Sequence, residues 1–269
     1  MATIKKILAP VDLSDASIGT AHYAAALSAA LGAEIIFLHA LEGDWPLTGA
    51  KRRNQARIQR AARRAPFSFL VREGAPAQVI VGTANSEKAD VILMPTRGAP
   101  ALLRFAVLSV TAAVMRGARC PVWTAQGDLD ARAMKPIKRI LCGLTGAAQS
   151  AVVLRFAAAL SERLDAGLTF VHAERALSPA IGVPCDPEYR LFVRGMVDEE
   201  LEGVRAAAGV AGEIRVEGGE ALSVVPAAAE RMDADLLVVG RSDSNSILGR
   251  WRMTGFELAR RTSCPVVCV

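Results

Sequence analysis

ADVILMPTRGAPALLRFAVLSVTAAVMRGARCPV, residues 89–122, decides the fold of this chain. Val91 to Met94 is a short apolar run of strand type, Gly98 turns the loop after it, and Ser109-Val110-Thr111 opens a helical segment. Cys120-Pro121-Val122 leads into another strand. A strand, a glycine-bearing loop and a helix N-terminus carrying hydroxyls are the parts of a phosphate cradle. Free backbone N–H groups and the positive end of the helix dipole face an anion there. The pattern returns at residues 234–269 as ADLLVVGRSDSNSILGRWRMTGFELARRTSCPVVCV. The chain therefore reads as two copies of one unit.

Upstream of the first copy's cradle, Lys5-Lys6-Ile7-Leu8-Ala9-Pro10-Val11-Asp12 is a short apolar strand that ends on a carboxylate. Leu13-Ser14-Asp15 supplies capping side chains for a helix from Ser17 to Leu31, which stops at Gly32. Glu34 to Ala40 and Phe67 to Val71 are further strands, a helix from Ala77 to Ser86 follows the Arg72-Glu73-Gly74 turn, and Val122 to Thr124 closes the unit. Strands alternating with helices argue for a parallel sheet with helices on both faces. Asp12 then stands at the carboxyl edge of the sheet, where open α/β folds bind ligands. A carboxylate there also suits a turn or cap, so position alone leaves both roles open. His39 closes the second strand and reads as a hydrogen-bonded packing residue, as does His172 in the second copy.

The second copy restarts at Lys138-Arg139-Ile140-Leu141-Cys142-Gly143-Leu144-Thr145, after a polar, turn-rich stretch. Ile7 maps to Ile140 and His39 to His172 at one offset, and Gly74 maps to Gly219 and Asp90 to Asp235 at a larger one. The added residues fall around Leu177 to Pro187. The expected organisation is domain 1 at residues 1–125, a linker at 126–136 and domain 2 at 137–269.

Five cysteines, odd in number and mostly in strand-like surroundings, argue against a disulfide framework and for a reducing, cytoplasmic setting. Cys264 and Cys268 have no His or carboxylate cluster beside them, so no metal site is expected. The greasy run from Ala21 to Leu41 carries His22, Gly32, Glu34 and His39 and reads as helix then strand, so no membrane partner is expected. Residues 1–134 hold 16 Lys and Arg against 10 Asp and Glu, whereas residues 135–269 hold 16 against 17. The excess lies between Lys51 and Arg64, where Arg53, Arg57, Arg60 and Arg64 follow helical spacing. No aromatic residue interleaves this stripe to stack on bases, so a solvated face or an acidic partner is expected, and no nucleic acid. The corresponding helix of the second copy carries Asp198, Glu199, Glu200 and Glu202.

Taken in order, these signatures resemble the universal stress protein family as a tandem pair. They are the strand ending on Asp12, Leu38-His39, Arg72-Glu73-Gly74, Asp90 to Met94, Thr96-Arg97-Gly98, Ser109-Val110-Thr111 and Cys120-Pro121-Val122. The resemblance implies two Rossmann-like (flavodoxin-like) α/β domains, each a five-stranded parallel sheet flanked by helices, paired as a pseudo-dimer. It also allows a homodimer and an unknown protein partner.

ATP-binding members of that family resemble one another in a loop written Gly, two residues, Gly, nine residues, Gly, then Ser or Thr. Those places hold Pro95, Gly98, Leu108 and Ser109 here. Proline offers neither an N–H nor freedom in φ, and a leucine puts a side chain where phosphate oxygens would lie. Asp12, Met94, Arg97, Gly98, Ser109, Val110 and Thr111 remain as the cofactor-contacting residues that the resemblance implies. In domain 2 the same places hold Gly240, Asp243, Met253 and Thr254, with Thr145 in place of Asp12. Asp243 there would repel phosphate.

The reading that follows is a non-catalytic, cytoplasmic stress-response protein acting through protein contacts, without a required cofactor. The alternative is an ATP-binding regulatory module that uses domain 1 alone. A nucleotide hydrolase ranks lowest: no Walker-type lysine loop and no nucleophile–base spacing are present.

Overall fold

The computed structural model describes residues 4–42, 49–95, 104–125, 129, 135–144, 147–178, 186–241 and 254–269. The chain divides into two compact units, residues 3–136 and residues 137–269.

The first unit runs β1 (Lys6–Pro10), α1 (Ala16–Leu31), β2 (Glu34–Leu41), α2 (Gly49–Ala61), β3 (Phe67–Glu73), α3 (Pro76–Ser86), β4 (Val91–Pro95), α4 (Arg104–Gly117) and β5 (Val122–Ala125). Its strands lie in the order 3-2-1-4-5, and every pairing is parallel, with Pro10 opposite Leu38 and Leu8 opposite Ile92. Central strands of such a sheet are covered on both faces, which is why Ile7, Leu8, Phe37, Ile92 and Leu93 are buried in unbroken runs without alternation. The second unit runs β6 (Arg139–Leu144), α5 (Ala147–Leu164), β7 (Gly167–Glu174), a 3-10 turn (Arg175–Leu177), α6 (Pro187–Ala208), β8 (Glu213–Gly218), α7 (Ala221–Arg231), β9 (Leu236–Val239), α8 (Thr254–Arg261) and β10 (Val266–Cys268). Its order is 8-7-6-9-10, again parallel throughout. Each unit is the five-stranded Rossmann-like domain that the pattern of strands and helices implies.

The repeat extends to individual polar bonds. Asp90 Oδ2 accepts the backbone N–H groups of Lys5 (2.8 Å) and Lys6 (2.9 Å), and Asp235 Oδ2 accepts those of Lys138 and Arg139, both at 2.9 Å. Each carboxylate thus fastens the start of its unit's first strand. Gly74 (φ 128°) and Gly219 (φ 144°) take the same backbone turn after β3 and β8. A further link survives with its charges exchanged: Arg72 pairs with Glu87 at 2.7 Å, whereas Glu217 pairs with Arg231.

Four sequence expectations change. Ser109-Val110-Thr111 does not open a helix: α4 already runs from Arg104, so these residues lie inside it and do not form the helix N-terminus of a phosphate cradle. Arg64 lies beyond the end of α2, so the basic stripe on the helix is Arg53, Arg57 and Arg60, and Arg57 is paired with Asp15 at 2.7 Å. Asp15 makes no side-chain cap bond, because its backbone is already helical and its carboxylate is turned to Arg57. Pro187 belongs to α6, as its first residue, and Asp186 caps that helix by accepting the Glu188 N–H at 3.0 Å. Residues 179–185, in the added segment, lie outside the described residues.

Candidate functional site

In the first unit the strand order reverses beside β1: β2 continues to one side and β4 to the other. A crevice opens at the carboxyl ends of strands at such a point. A cavity of about 360 Å³ lies there, lined by Val11, Asp12, Leu38, His39, Met94 and Val110 among others.

The turn after β1 builds its rim. The Val11 N–H donates to Leu38 O at 2.8 Å, which carries the β1–β2 pairing one step further. Leu13 then takes the left-handed conformation (φ 61°). That costs a branched residue about 1–2 kcal/mol, offset here by burial of its side chain and by Asn54 Nδ2 donating to its carbonyl at 2.9 Å. The reversal leaves Asp12 exposed at the cavity's edge. Asp12 Oδ1 accepts the Ser14 N–H at 2.9 Å and the Ser17 hydroxyl at 2.6 Å. Partial burial of the carboxylate pulls its pKa up. The bonds from Ser14 and Ser17 to the charged form outweigh it, so the group sits below its ordinary value. Asp12 is therefore an anion braced within a turn.

His39 lines the same cavity and is 3% exposed. Its Nδ1 lies 2.9 Å from Val11 O. A carbonyl can only accept, so Nδ1 carries the proton. Burial lowers the ring's pKa, with Val11 O raising it, Lys51 lowering it and Asp12 raising it by smaller amounts. The ring is thus neutral at pH 7, with a bare lone pair on Nε2. Among the described residues that atom is buried without a hydrogen-bond partner. The packing role read from the sequence is real, since Nδ1 ties β2 to the end of β1. The place of His39 in the cavity wall is new. Its position at a strand's carboxyl end was the available signal.

Of the residues implied by resemblance, Asp12, Met94 and Val110 meet in the cavity wall. Thr111 is buried, is not part of that wall, and its Oγ1 has no partner among the described residues. Arg97 and Gly98 lie outside the described residues, as do the side chains of Pro95, Leu108 and Ser109. The wall is completed by residues that motif reading passed over, including Thr20 from α1 and Ile80 from α3.

The second unit treats the same place differently. His172 Nδ1 bonds Leu144 O at 3.1 Å, as in the first unit, but its Nε2 lies 3.6 Å from Glu174 Oε2. Gly255 is the second residue of α8. A Cβ added there would stand 2.8 Å from Cys268 Sγ, so the helix is seated close against β10. Thr145, Asp243 and Met253 lie outside the described residues, as does the side chain of Thr254. The thiols of Cys142 and Cys268 are buried, and burial pushes the latter's pKa up to about 12, so both are inert packing groups. Among the described residues no three His, Cys, Asp or Glu side chains gather as a metal site. No described helix is long and apolar enough to cross a membrane.

Two Rossmann-like units in tandem, one with a crevice at its strand-order reversal, define the class. The sequence matches the universal stress protein family twice, over residues 3–126 and 136–269, and the chain belongs to that stress-response family. It is 31% identical over 135 residues to a universal stress protein of Methanocaldococcus jannaschii, covering 44% of this chain and 79% of that one. Among solved structures, a universal stress protein of Archaeoglobus fulgidus DSM 4304 has a TM-score of 0.69 at 19% identity, covering 99% of this chain and 96% of that one. A functionally unknown protein from Pseudomonas aeruginosa PAO1 has a TM-score of 0.74 at 14% identity, covering 100% of this chain and 93% of that one. At these identities the structural likeness bears on the fold.

Proposed function

We propose that this chain is a non-catalytic stress-response protein whose first unit senses the nucleoside end of an adenine nucleotide, while the second binds none. The observation that carries the reading is the cavity at the carboxyl ends of β1, β2 and β4. Asp12 stands at its rim and Met94 and Val110 in its wall. Apolar walls with a few fixed polar groups suit a flat heterocycle with hydroxyls attached. The phosphate end is poorer. Pro95 has no N–H to offer, and Leu108 stands where the family's ATP-binding loop has its last glycine. Ser17, the lining hydroxyl that meets a carboxylate, is buried and accepts the Asp12 N–H at 3.2 Å, so it is braced within the turn and not presented for attack. In the second unit Glu174 stands 3.6 Å from His172, where the first unit has the apolar Leu41, and that added negative charge disfavours a nucleotide.

Calorimetric titration of the full-length protein with adenosine, AMP and ATP plus magnesium tests this. The expected result is one site per chain, with adenosine and AMP bound at least as tightly as ATP. Tighter binding of ATP would refute the weakened phosphate end. No heat with any of the three up to millimolar concentration would refute the sensor.

A second reading, action through protein contacts, has its own support on α6. Tyr189, Phe192 and Met196 follow helical spacing and are exposed, as is Leu191 at 70%. Phe192→Asp should abolish such contacts while leaving adenosine binding unchanged.

A further inference from the structure

Two helices fill the same place in the two units, between the second and third strands of each, and carry opposite charge. α2 holds Lys51, Arg52, Arg53, Arg57 and Arg60 and no acid. α6 gathers Asp198, Glu199, Glu200 and Glu202 in its second half. Each helix seats one face on its own unit, with Ile58 of α2 and Leu201 of α6 buried, and turns the other outward. On the outer face of α6, Tyr189, Phe192 and Met196 are 48%, 64% and 57% exposed, and Glu199 continues their spacing. A row of large apolar side chains open to water along one helix marks a contact surface, unlike the scattered apolar residues of an ordinary exterior. On the outer face of α2, Arg53, Ala56 and Arg60 are exposed. α6 therefore offers aromatic rings followed by carboxylates, and α2 offers arginines with a small residue between them.

We propose that the outer face of α6 docks on α2 of a second copy of this chain, with the two helices antiparallel. This rests on the reading of α6 as a protein-contact face, and it adds what that face contacts. Phe192 and Glu199 are seven residues apart, as are Arg53 and Arg60, so each pair spans about 10 Å along its helix. Laid antiparallel, Arg60 meets Phe192, Ala56 meets Met196 and Arg53 meets Glu199, so the small residue faces the long one. In parallel order Met196 would face Arg57, which is already committed to Asp15 at 2.7 Å. Arginine suits both ends of the match. Its planar guanidinium lies over an aromatic ring at one and pairs with a carboxylate at the other. Charge over the whole chain favours the same contact, because residues 1–134 carry 16 Lys and Arg against 10 Asp and Glu, and residues 135–269 carry 16 against 17. Exposed ion pairs and arginine–aromatic contacts are each small, so the association is weak and rises with concentration.

The test is sedimentation equilibrium of the full-length chain and two charge-reversed variants. One variant is Arg53→Glu with Arg60→Glu, and the other is Glu199→Lys with Glu200→Lys. Arg57 and Glu202 stay unaltered, since each has a partner within its own unit, Asp15 and Arg205. The unaltered protein should rise above single-chain mass as its concentration increases. Association should weaken between about 0.1 M and 1 M salt, as the screening length falls from about 10 Å to about 3 Å. Each reversed variant alone should associate about tenfold more weakly. Phe192→Ala should weaken it by a similar factor, because the arginine loses its ring. Mixed together, the two reversed variants should associate again, since one keeps an unaltered α6 and the other an unaltered α2. That recovery also requires both variants to be folded. Failure of the mixture to recover would overturn the proposal, because the partner surface would not be α2. Single-chain mass up to millimolar concentration would overturn it too, while leaving α6 open to an unlike basic partner. Association undiminished in Phe192→Ala and in both reversed variants would overturn the proposal and the reading of α6 as a contact face with it.

Discussion

Replacing Asp12 by asparagine separates the two roles that a carboxylate at this turn can have. Its Oδ1 holds Ser14 N at 2.9 Å and Ser17 Oγ at 2.6 Å, and an asparagine carbonyl can accept both bonds. What Asp12→Asn removes is the charge. A hydrogen bond to a charged group contributes about 1.5–3 kcal/mol against about 0.5–1.5 for a neutral one, but Asp12 is exposed and solvent screens it. The expected loss of stability is therefore about 1 kcal/mol for Asp12→Asn and about 2 kcal/mol for Asp12→Ala, which drops both bonds. Ligand binding should respond in a different proportion. A carboxylate oxygen that accepts a ligand hydroxyl loses its charge assistance in Asp12→Asn, so adenosine affinity should fall about tenfold. Urea titration gives the first quantity and calorimetry the second. Asp12→Asn binding adenosine as tightly as the unaltered protein would refute the argument, because Asp12 would then be a turn brace and nothing more.

Other consequences are open to direct measurement. Restoring Pro95→Gly and Leu108→Gly together should raise ATP affinity relative to adenosine, and an unchanged ratio measured by calorimetry would sink the argument from lost glycines. Because burial lowers the pKa of His39 in the folded protein, the unfolded chain binds the extra proton first as pH falls below about 6.5. Stability should therefore decline from about pH 6.5 downward and level off below the ring's own lowered value. His39→Gln should flatten that slope in urea titrations at pH 5 to 7. Asp12 acts lower: its depressed pKa makes its contribution complete above about pH 4 and lost only as pH falls through the folded value. Gly255→Ala should cost about 1–3 kcal/mol by urea titration, since the new Cβ would stand 2.8 Å from Cys268 Sγ, whereas Gly203→Ala, with open space around it, should be neutral or stabilising.

The order of elements was legible in the chain. Apolar runs of four to eight residues between helical stretches can be satisfied in few ways, and two matching series made the tandem repeat plain without coordinates. Asp12 at the end of β1 and Met94 at the end of β4 were readable for the same reason: in a parallel sheet every carboxyl end faces one edge. Helix limits were less so, since Arg64 keeps the helical spacing of Arg53, Arg57 and Arg60 but lies beyond the last turn of α2.

The cavity was another matter. His39 and Val11 are 28 residues apart, and which nitrogen of the ring is committed depends on a carbonyl that only the β1–β2 register brings within 2.9 Å. The difference between the two units depends likewise on Glu174 reaching His172 across one step of β7, and on Gly255 admitting α8 close against Cys268. Periodicity tells which face a residue takes, and a motif tells which residue types are present. Which polar groups meet depends on ångström-scale distances between distant segments, and those are set by packing alone.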